Sequence, residues 1–180
     1  IRHFGVSNYR AWRVAEICNL CDGLGIDRPV VSQPYYNAMN RMPEVEHLPA
    51  CGFYGLGVVS YSPLARGILT GKYSPDAPPP ADTRAGRADR RMMQTEWRPE
   101  SLRIAQVVKK HAEARGITPG QFAVSWVLHN RLITATIGGP RTEAQWDDYL
   151  GARSYRFTAD DEALIDGMVP AGHPSTPGYT

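Results

Sequence analysis

Four times along this chain a short apolar or β-branched run gives way to a segment of helical character, and that alternation limits the fold more than any other feature. Arg2 to Val6 is the first run; a helix from about Arg10 to Leu24 follows, with Ser7 or Asn8 able to cap it and Gly25 to end it. Val30 to Ser32 is the second run, Pro43 to Cys51 a short helix with Pro49 near its end, and Gly57 to Ser60 the third run. A long stretch rich in proline, glycine and arginine leads to Glu100 to Arg115, where Leu102, Ile104, Ala105, Val108 and Ala112 recur at helical spacing before Gly116. Thr118-Pro119-Gly120-Gln121 is a capping-box pattern with proline at the first helical position and opens a helix to about His129. Ile133 to Ile137 is the fourth run. Thr142-Glu143-Ala144-Gln145 repeats the capping box, and Thr158-Ala159-Asp160-Asp161 starts a last helix with acidic residues at its positive end.

Helices between successive strands imply right-handed crossovers and parallel pairing, so the class is α/β. Four parallel strands leave two open edges, whereas parallel sheets are normally covered on both faces and barrels abolish edges by closing. The chain therefore reads as half of a larger sheet. Ile1 also stands inside an apparent strand with no lead-in, as though preceding residues were cut away or unrecorded.

Composition excludes several classes. A formal charge of +2 is too small to argue for nucleic acid. No apolar run approaches the roughly 20 residues that span a bilayer, and no export signal opens the chain, so a cytoplasmic protein is expected. Three cysteines are an odd number, against a disulfide framework and in keeping with a reducing compartment. Cys18 and Cys21 have C-x-x-C spacing, but no second pair follows. Val14, Cys18, Cys21 and Leu24 fall on one helical face, so both thiols read as core residues, with redox or zinc use as the alternative. No histidine spacing marks a metal site, and no metal ligand is assigned.

The stretch "VVSYSPLARGILTGKY", residues 58 to 73, ends a strand at Pro63 and continues as a glycine-containing loop with Arg66 and Lys72. Alone, it is either a solvated loop or an anion seat. Three more motifs decide its context: "GVSNY" at the first strand end, "VSQPYYN" on the second, and "IGGPRTEAQWDDYL" on the fourth. In this order and spacing, with "TPGQFAVSWVLHN" before the last, they resemble the C-terminal half of an aldo-keto reductase, over essentially all 180 residues. The likeness is greatest to bacterial members related to potassium-channel β subunits.

The resemblance implies a (β/α)8 TIM barrel with its ligand across the C-terminal strand ends, this chain being the C-terminal half of that single domain and covering about strands five to eight. It implies NADPH-dependent reduction of a small-molecule aldehyde or ketone, with this segment forming most of the cofactor site. Tyr61 resembles the aromatic that stacks on the nicotinamide. Ser62, Pro63, Leu64, Arg66 and Gly67 would follow the pyrophosphate, with Lys72 adding a cation. Ser7, Asn8 and Gln33 resemble the carboxamide-binding set, a helix cap and a satisfied strand-end amide being their ordinary alternatives. Gly139, Arg141, Gln145 and Asp148 match the adenosine end, Asp148 suiting the adenine amino group; Tyr149 stands where the family often has asparagine. Arg84 resembles a second phosphate contact, the alternative being a disordered surface loop. Arg141 beside the helix start favours NADPH over NADH.

The family's catalytic aspartate, tyrosine, lysine and histidine come from its first four strands, so no catalytic residue is assigned here and the segment alone is expected to be inactive. The alternative is a non-catalytic NADP(H)-binding subunit with a redox-sensing or regulatory role. Neither the loop from Pro75 to Trp97 nor the tail after Gly172 has a pattern that names the substrate, and nothing in the sequence decides for or against a homo-oligomer.

Overall fold

The computed structural model describes residues 1–175. Its centre is a four-stranded, wholly parallel sheet of β1 (Gly5–Ser7), β2 (Val31–Gln33), β3 (Gly57–Tyr61) and β4 (Ala135–Ile137), with neighbours in chain order. Helix α1 (Ala11–Leu24) joins β1 to β2, and α2 (His47–Tyr54) joins β2 to β3. Between β3 and β4 run α3 (Arg90–Thr95), α4 (Pro99–Ala114) and α5 (Pro119–His129); α6 (Glu143–Gly151) and α7 (Ala159–Asp166) follow β4. The expected alternation is thus present, each crossover carrying helix as parallel pairing requires.

The two faces of the sheet differ. Val6, Ser32 and Val58 share one face by register, and Ser32 on it donates to or accepts from His47 of α2 at 2.9 Å, which marks the side the helices cover. Ser32, Val58 and Ser60 there are essentially sealed. On the other face Gly5, Ser7 and Ile137 are exposed, while Val31, Gln33, Gly57, Val59, Tyr61 and Ala135 are only partly covered. The core lies on the helix side, where Leu48, Cys51, Val58, Ile68, Leu69, Val108, Phe122 and Val127 pack together.

Several boundaries depart from the expectations for physical reasons. β1 is Gly5–Ser7 rather than Arg2 to Val6, because its pairing with β2 begins at Gly5 opposite Val31. Neither Ser7 nor Asn8 caps α1; Arg10 holds that position without a side-chain hydrogen bond. Leu24 is 72% exposed although Val14, Cys18 and Cys21 are buried. Ten residues beyond Val14 the helix has turned about 80° off the stripe, at 3.6 residues per turn. The short helix begins later than Pro43, with a 3-10 turn at Met42–Glu44 ahead of α2, so Pro49 sits in the first turn, where its missing N–H is no loss. Thr118 forms the reciprocal capping box with Gln121. At Thr142 only half of one forms: Thr142 accepts from Gln145 N, but the Gln145 side chain accepts from Arg141 N at 2.8 Å.

The proline-rich stretch is structured rather than a bare loop. Two 3-10 turns at Ala65–Thr70 meet at a kink, Ala85 and Met92 are buried, and Asp89 caps α3 by accepting from Met92 N at 2.9 Å. Of the tail after Gly172, residues 176–180 lie outside the described residues.

Candidate functional site

The strand ends carry most of the backbone strain. Among the described residues, five non-glycine positions have positive φ, and Asn8, Ser62, Ala65 and Arg66 (56°, 59°, 45° and 55°) follow directly on β1 and β3. Side chains rarely adopt that region unless the surroundings hold them there, and such positions gather at ligand sites. Ser62 and Ala65 flank a tight turn at Pro63, closed by Ala65 N donating to Ser62 O at 3.0 Å.

Here the side chains form a chain of contacts. Ser7 Oγ donates to the Gln33 carbonyl at 2.9 Å, Asn8 Nδ2 donates to Ser7 Oγ at 3.2 Å, and the Tyr61 hydroxyl donates to Asn8 Oδ1 at 3.1 Å. Freed from helix capping, Ser7 and Asn8 are thereby tied to the ends of β2 and β3. The Gln33 side-chain amide has no partner among the described residues, and it offers both a donor and an acceptor. The Tyr61 ring leans against Tyr35 with centroids 5.5 Å apart.

A groove of about 320 Å³ is lined by Tyr61, Ser62, Pro63, Leu64, Arg66, Gly67 and Lys72. Gly139, Arg141, Gln145, Asp148 and Tyr149 line it too, as does Arg84. Thirteen of the sixteen residues singled out in the sequence therefore line one depression, and Asn8 joins the remaining three, Ser7, Asn8 and Gln33, to it through Tyr61. Thr70 and Ile137 line it too and were not anticipated. Register would have found Ile137, which pairs with Tyr61 across β3 and β4.

Four cations face one carboxylate in this groove, but they are not equivalent. Arg66 Nε lies 3.0 Å from the buried Glu96 carboxylate, so its charge is largely met inside the protein. Arg84 sits 3.9 Å from Asp89. Lys72, whose ammonium lies 5.3 Å from the Tyr73 ring centroid, and Arg141 have no acidic partner among the described residues. Asp148 accepts from Thr118 Oγ1 at 2.6 Å at the start of α5, and the Gln145 amide oxygen is held by Arg141 N, so both are partly committed to the fold. Tyr149 is half-buried over Gly138, which raises its hydroxyl above the usual range, while a hydrogen bond with the Gly139 backbone acts the other way. The groove thus combines a flat ring, with the Gln33 amide at the neighbouring strand end, and two cations, Lys72 and Arg141, that have no acidic partner among the described residues. That is the donor set for an extended anion with a planar head.

A second cleft, of about 160 Å³, shares Tyr61 and Arg66 with the groove and lies on their other side. Tyr35, Met39, Thr95, Glu96 and Ser101 build its floor and walls, and Pro174 and Ser175 contribute from the C-terminal segment. That segment is held by Ser175 N donating to Met39 O at 2.8 Å, and by Arg41, whose guanidinium bonds Asp166 at 2.5 Å and the Val169 carbonyl at 2.8 Å. Burial first, then the Glu96 charge, pushes the Tyr35 hydroxyl far above its ordinary range, so it stays a neutral donor.

A sequence profile of the Aldo/keto reductase family matches residues 1–170. The chain belongs to that family. An aldo-keto reductase of Pseudocercospora fijiensis is 31% identical over 134 residues, 72% of this chain and 45% of the relative. A probable voltage-gated potassium channel subunit beta of Arabidopsis thaliana is 31% identical over 151 residues, 83% of this chain and 46% of the relative. Aflatoxin B1 aldehyde reductase member 2 of Mus musculus is 52% identical over a shorter 69 residues, 38% of this chain and 19% of the relative. The chain spans less than half the length of these relatives. No helix among the described residues is long and apolar enough to cross a membrane.

Proposed function

We propose that this chain is the cofactor-binding C-terminal half of a (β/α)8 aldo-keto reductase barrel, about strands five to eight, that reduces aldehydes or ketones with NADPH in the cytoplasm. The observation that carries the proposal is the groove beyond β3 and β4. Its aromatic ring and two cations without an acidic partner among the described residues, Lys72 and Arg141, line one depression at the strand ends, where barrel enzymes keep their chemistry, with the Gln33 amide at the end of β2 nearby. Tyr61 would support the nicotinamide face, with Ser7, Asn8 and Gln33 around its carboxamide. The turns from Ser62 to Gly67, with Lys72, would receive the pyrophosphate. Arg141, at the start of α6 and near the free edge of Gly139, would take the adenosine phosphate, the helix dipole adding to its charge. NADPH supplies a hydride when bound; the residues of this chain orient it and hold its charge. The proton donor is assigned to none of them.

The relatives named as potassium-channel subunits support a second reading, an NADP(H)-binding subunit without turnover. One experiment separates the two. The complete protein containing this chain is titrated with NADPH by fluorescence and then given an aromatic aldehyde. Binding with aldehyde-dependent NADPH loss supports the enzyme, binding without it the sensing subunit, and absence of binding overturns both.

A further inference from the structure

We propose that Glu96 is a positioning residue that limits how tightly the cofactor is held, by keeping Arg66 from its pyrophosphate. This rests on the proposed cofactor reading of the groove and adds to it a residue that does not line the groove.

Arg66 lines both the groove and the smaller cleft, whereas Glu96 lines the cleft alone, so an ion pair between them draws a groove cation toward the other side of the shared wall. The pair is sheltered. Side-chain exposure is 18% for Arg66 and 4% for Glu96, against 45% and 35% for Arg84 and Asp89, which stand 3.9 Å apart. Solvent screens the second pair, while the first, at 3.0 Å, keeps its strength. Glu96 itself is fixed: Tyr35 donates to its Oε1 at 2.9 Å, and the Thr95 hydroxyl contacts its Oε2. The hold on Arg66 is of another kind. Its Nε is sealed from solvent yet makes no directed hydrogen bond among the described residues, so charge alone ties it to Glu96. An attraction without direction lets the guanidinium change partners once the Glu96 charge is removed. The anion then within its reach would be the pyrophosphate, received by the turns from Ser62 to Gly67 in which Arg66 itself stands.

Stability does not account for the pair. A buried ion pair roughly breaks even against neutral groups of the same shape, because desolvation cancels the attraction. Glutamine at position 96 would fit the same surroundings. Tyr35 can still donate to its Oε1, and its amide can donate to the Thr95 hydroxyl, whose own proton is directed to the Arg91 carbonyl at 2.6 Å. What glutamine lacks is the charge that holds Arg66.

The test measures Kd for NADPH and NADH by fluorescence titration, and NADPH release by stopped flow, on the complete protein containing this chain. Glu96→Gln should tighten both cofactors by about tenfold, the lower end for a hydrogen bond to a charged group, and slow release accordingly. Arg66→Gln should weaken both, because it leaves a bare carboxylate beside the phosphates. The double variant, neutral at both positions, should return close to the wild type. A carboxylate that merely braces the fold gives the opposite sign for Glu96→Gln, weaker binding in step with a lower urea midpoint, and that result overturns the inference. Unchanged affinity overturns it too, as does a double variant as weak as Arg66→Gln, which would make Arg66 a phosphate ligand in the wild type. A gain for NADPH alone would place Arg66 against the extra phosphate and overturn its assignment to the pyrophosphate. If Arg66→Gln does not fold, Glu96→Gln and the double variant decide. A wild type that binds neither cofactor refutes the cofactor reading and this inference together; binding that Glu96→Gln does not tighten refutes the inference alone.

Discussion

Tyr61 and Arg141 both line the groove, and the parts proposed for them in holding a dinucleotide can be separated by substitution. The Tyr61 hydroxyl is occupied by Asn8, which leaves the ring face as the portion that would meet a ligand. Tyr61→Phe keeps that face and is expected to change NADPH affinity by no more than about twofold, whereas Tyr61→Ala should lose about 1 kcal/mol of stacking. Fluorescence titration of the complete protein measures both. Arg141 is exposed and has no acidic partner to restrain it, so Arg141→Ala should weaken NADPH by about 1.5 kcal/mol, the lower end for a hydrogen bond to a charged group in solvent. NADH, lacking the extra phosphate, should be unaffected; equal weakening of both would assign Arg141 to the shared pyrophosphate. That both residues line one groove was legible because each lies in a compact motif beside a strand end. The pairing of Arg66 with Glu96 was not, since its partner lies thirty residues on, in a stretch without periodicity.

At the scale of elements, a single carboxylate joins α4, α7 and the segment between α6 and α7. Asp161 is fully buried and accepts from His111 at 2.6 Å, from Tyr155 at 2.8 Å, and from the Thr158 backbone and hydroxyl at 2.8 Å each. Burial alone would raise its carboxyl, but the hydrogen bonds from His111, Thr158 and Tyr155 outweigh burial and hold it down at about 2, below the ordinary 3.8. A depressed carboxylate stabilises the fold fully above its unfolded value and progressively less as pH falls toward its folded one. Asp161 should therefore contribute roughly 2 to 3 kcal/mol near neutrality that disappears between about pH 4 and pH 2. Urea midpoints across that range should fall steeply in the wild type and much less in Asp161→Asn, which should already be weaker at pH 7; parallel curves would remove Asp161 from this role. The cap itself was readable, because Thr158 and Asp161 are three residues apart in sequence. Its tie to His111 was not, being fifty residues distant. Helix α3 escaped notice for a related reason: six residues held by an Asp89 cap and a buried Met92 show too little of a turn to register as a period.

For the whole molecule, the deciding feature is that the helices cover one face of a parallel sheet and leave the other partly bare. Alternation of strand and helix made the parallel pairing legible, because no other connection of that length is sterically natural. It carried no sign of how the sheet's second face is covered, since a strand shows which of its residues are apolar but not what packs on them. Val31, Val59, Ala135 and Ile137 lie on that face, and among the described residues β1 and β4 have unpaired edges. A polypeptide made of these 180 residues alone should consequently self-associate, burying that face and pairing its edges. Light scattering behind size exclusion should report a mass well above 19.9 kDa. Val59→Lys places a charge in the middle of the bare face and should shift the population toward monomer, while Leu20→Lys, on the exposed outer side of α1, should not. The reverse pattern would locate the association on the helix layer. A cooperative monomer of the unaltered polypeptide would mean that this α/β layer is stable with its second face in water, and the need for a partner surface would fall with it.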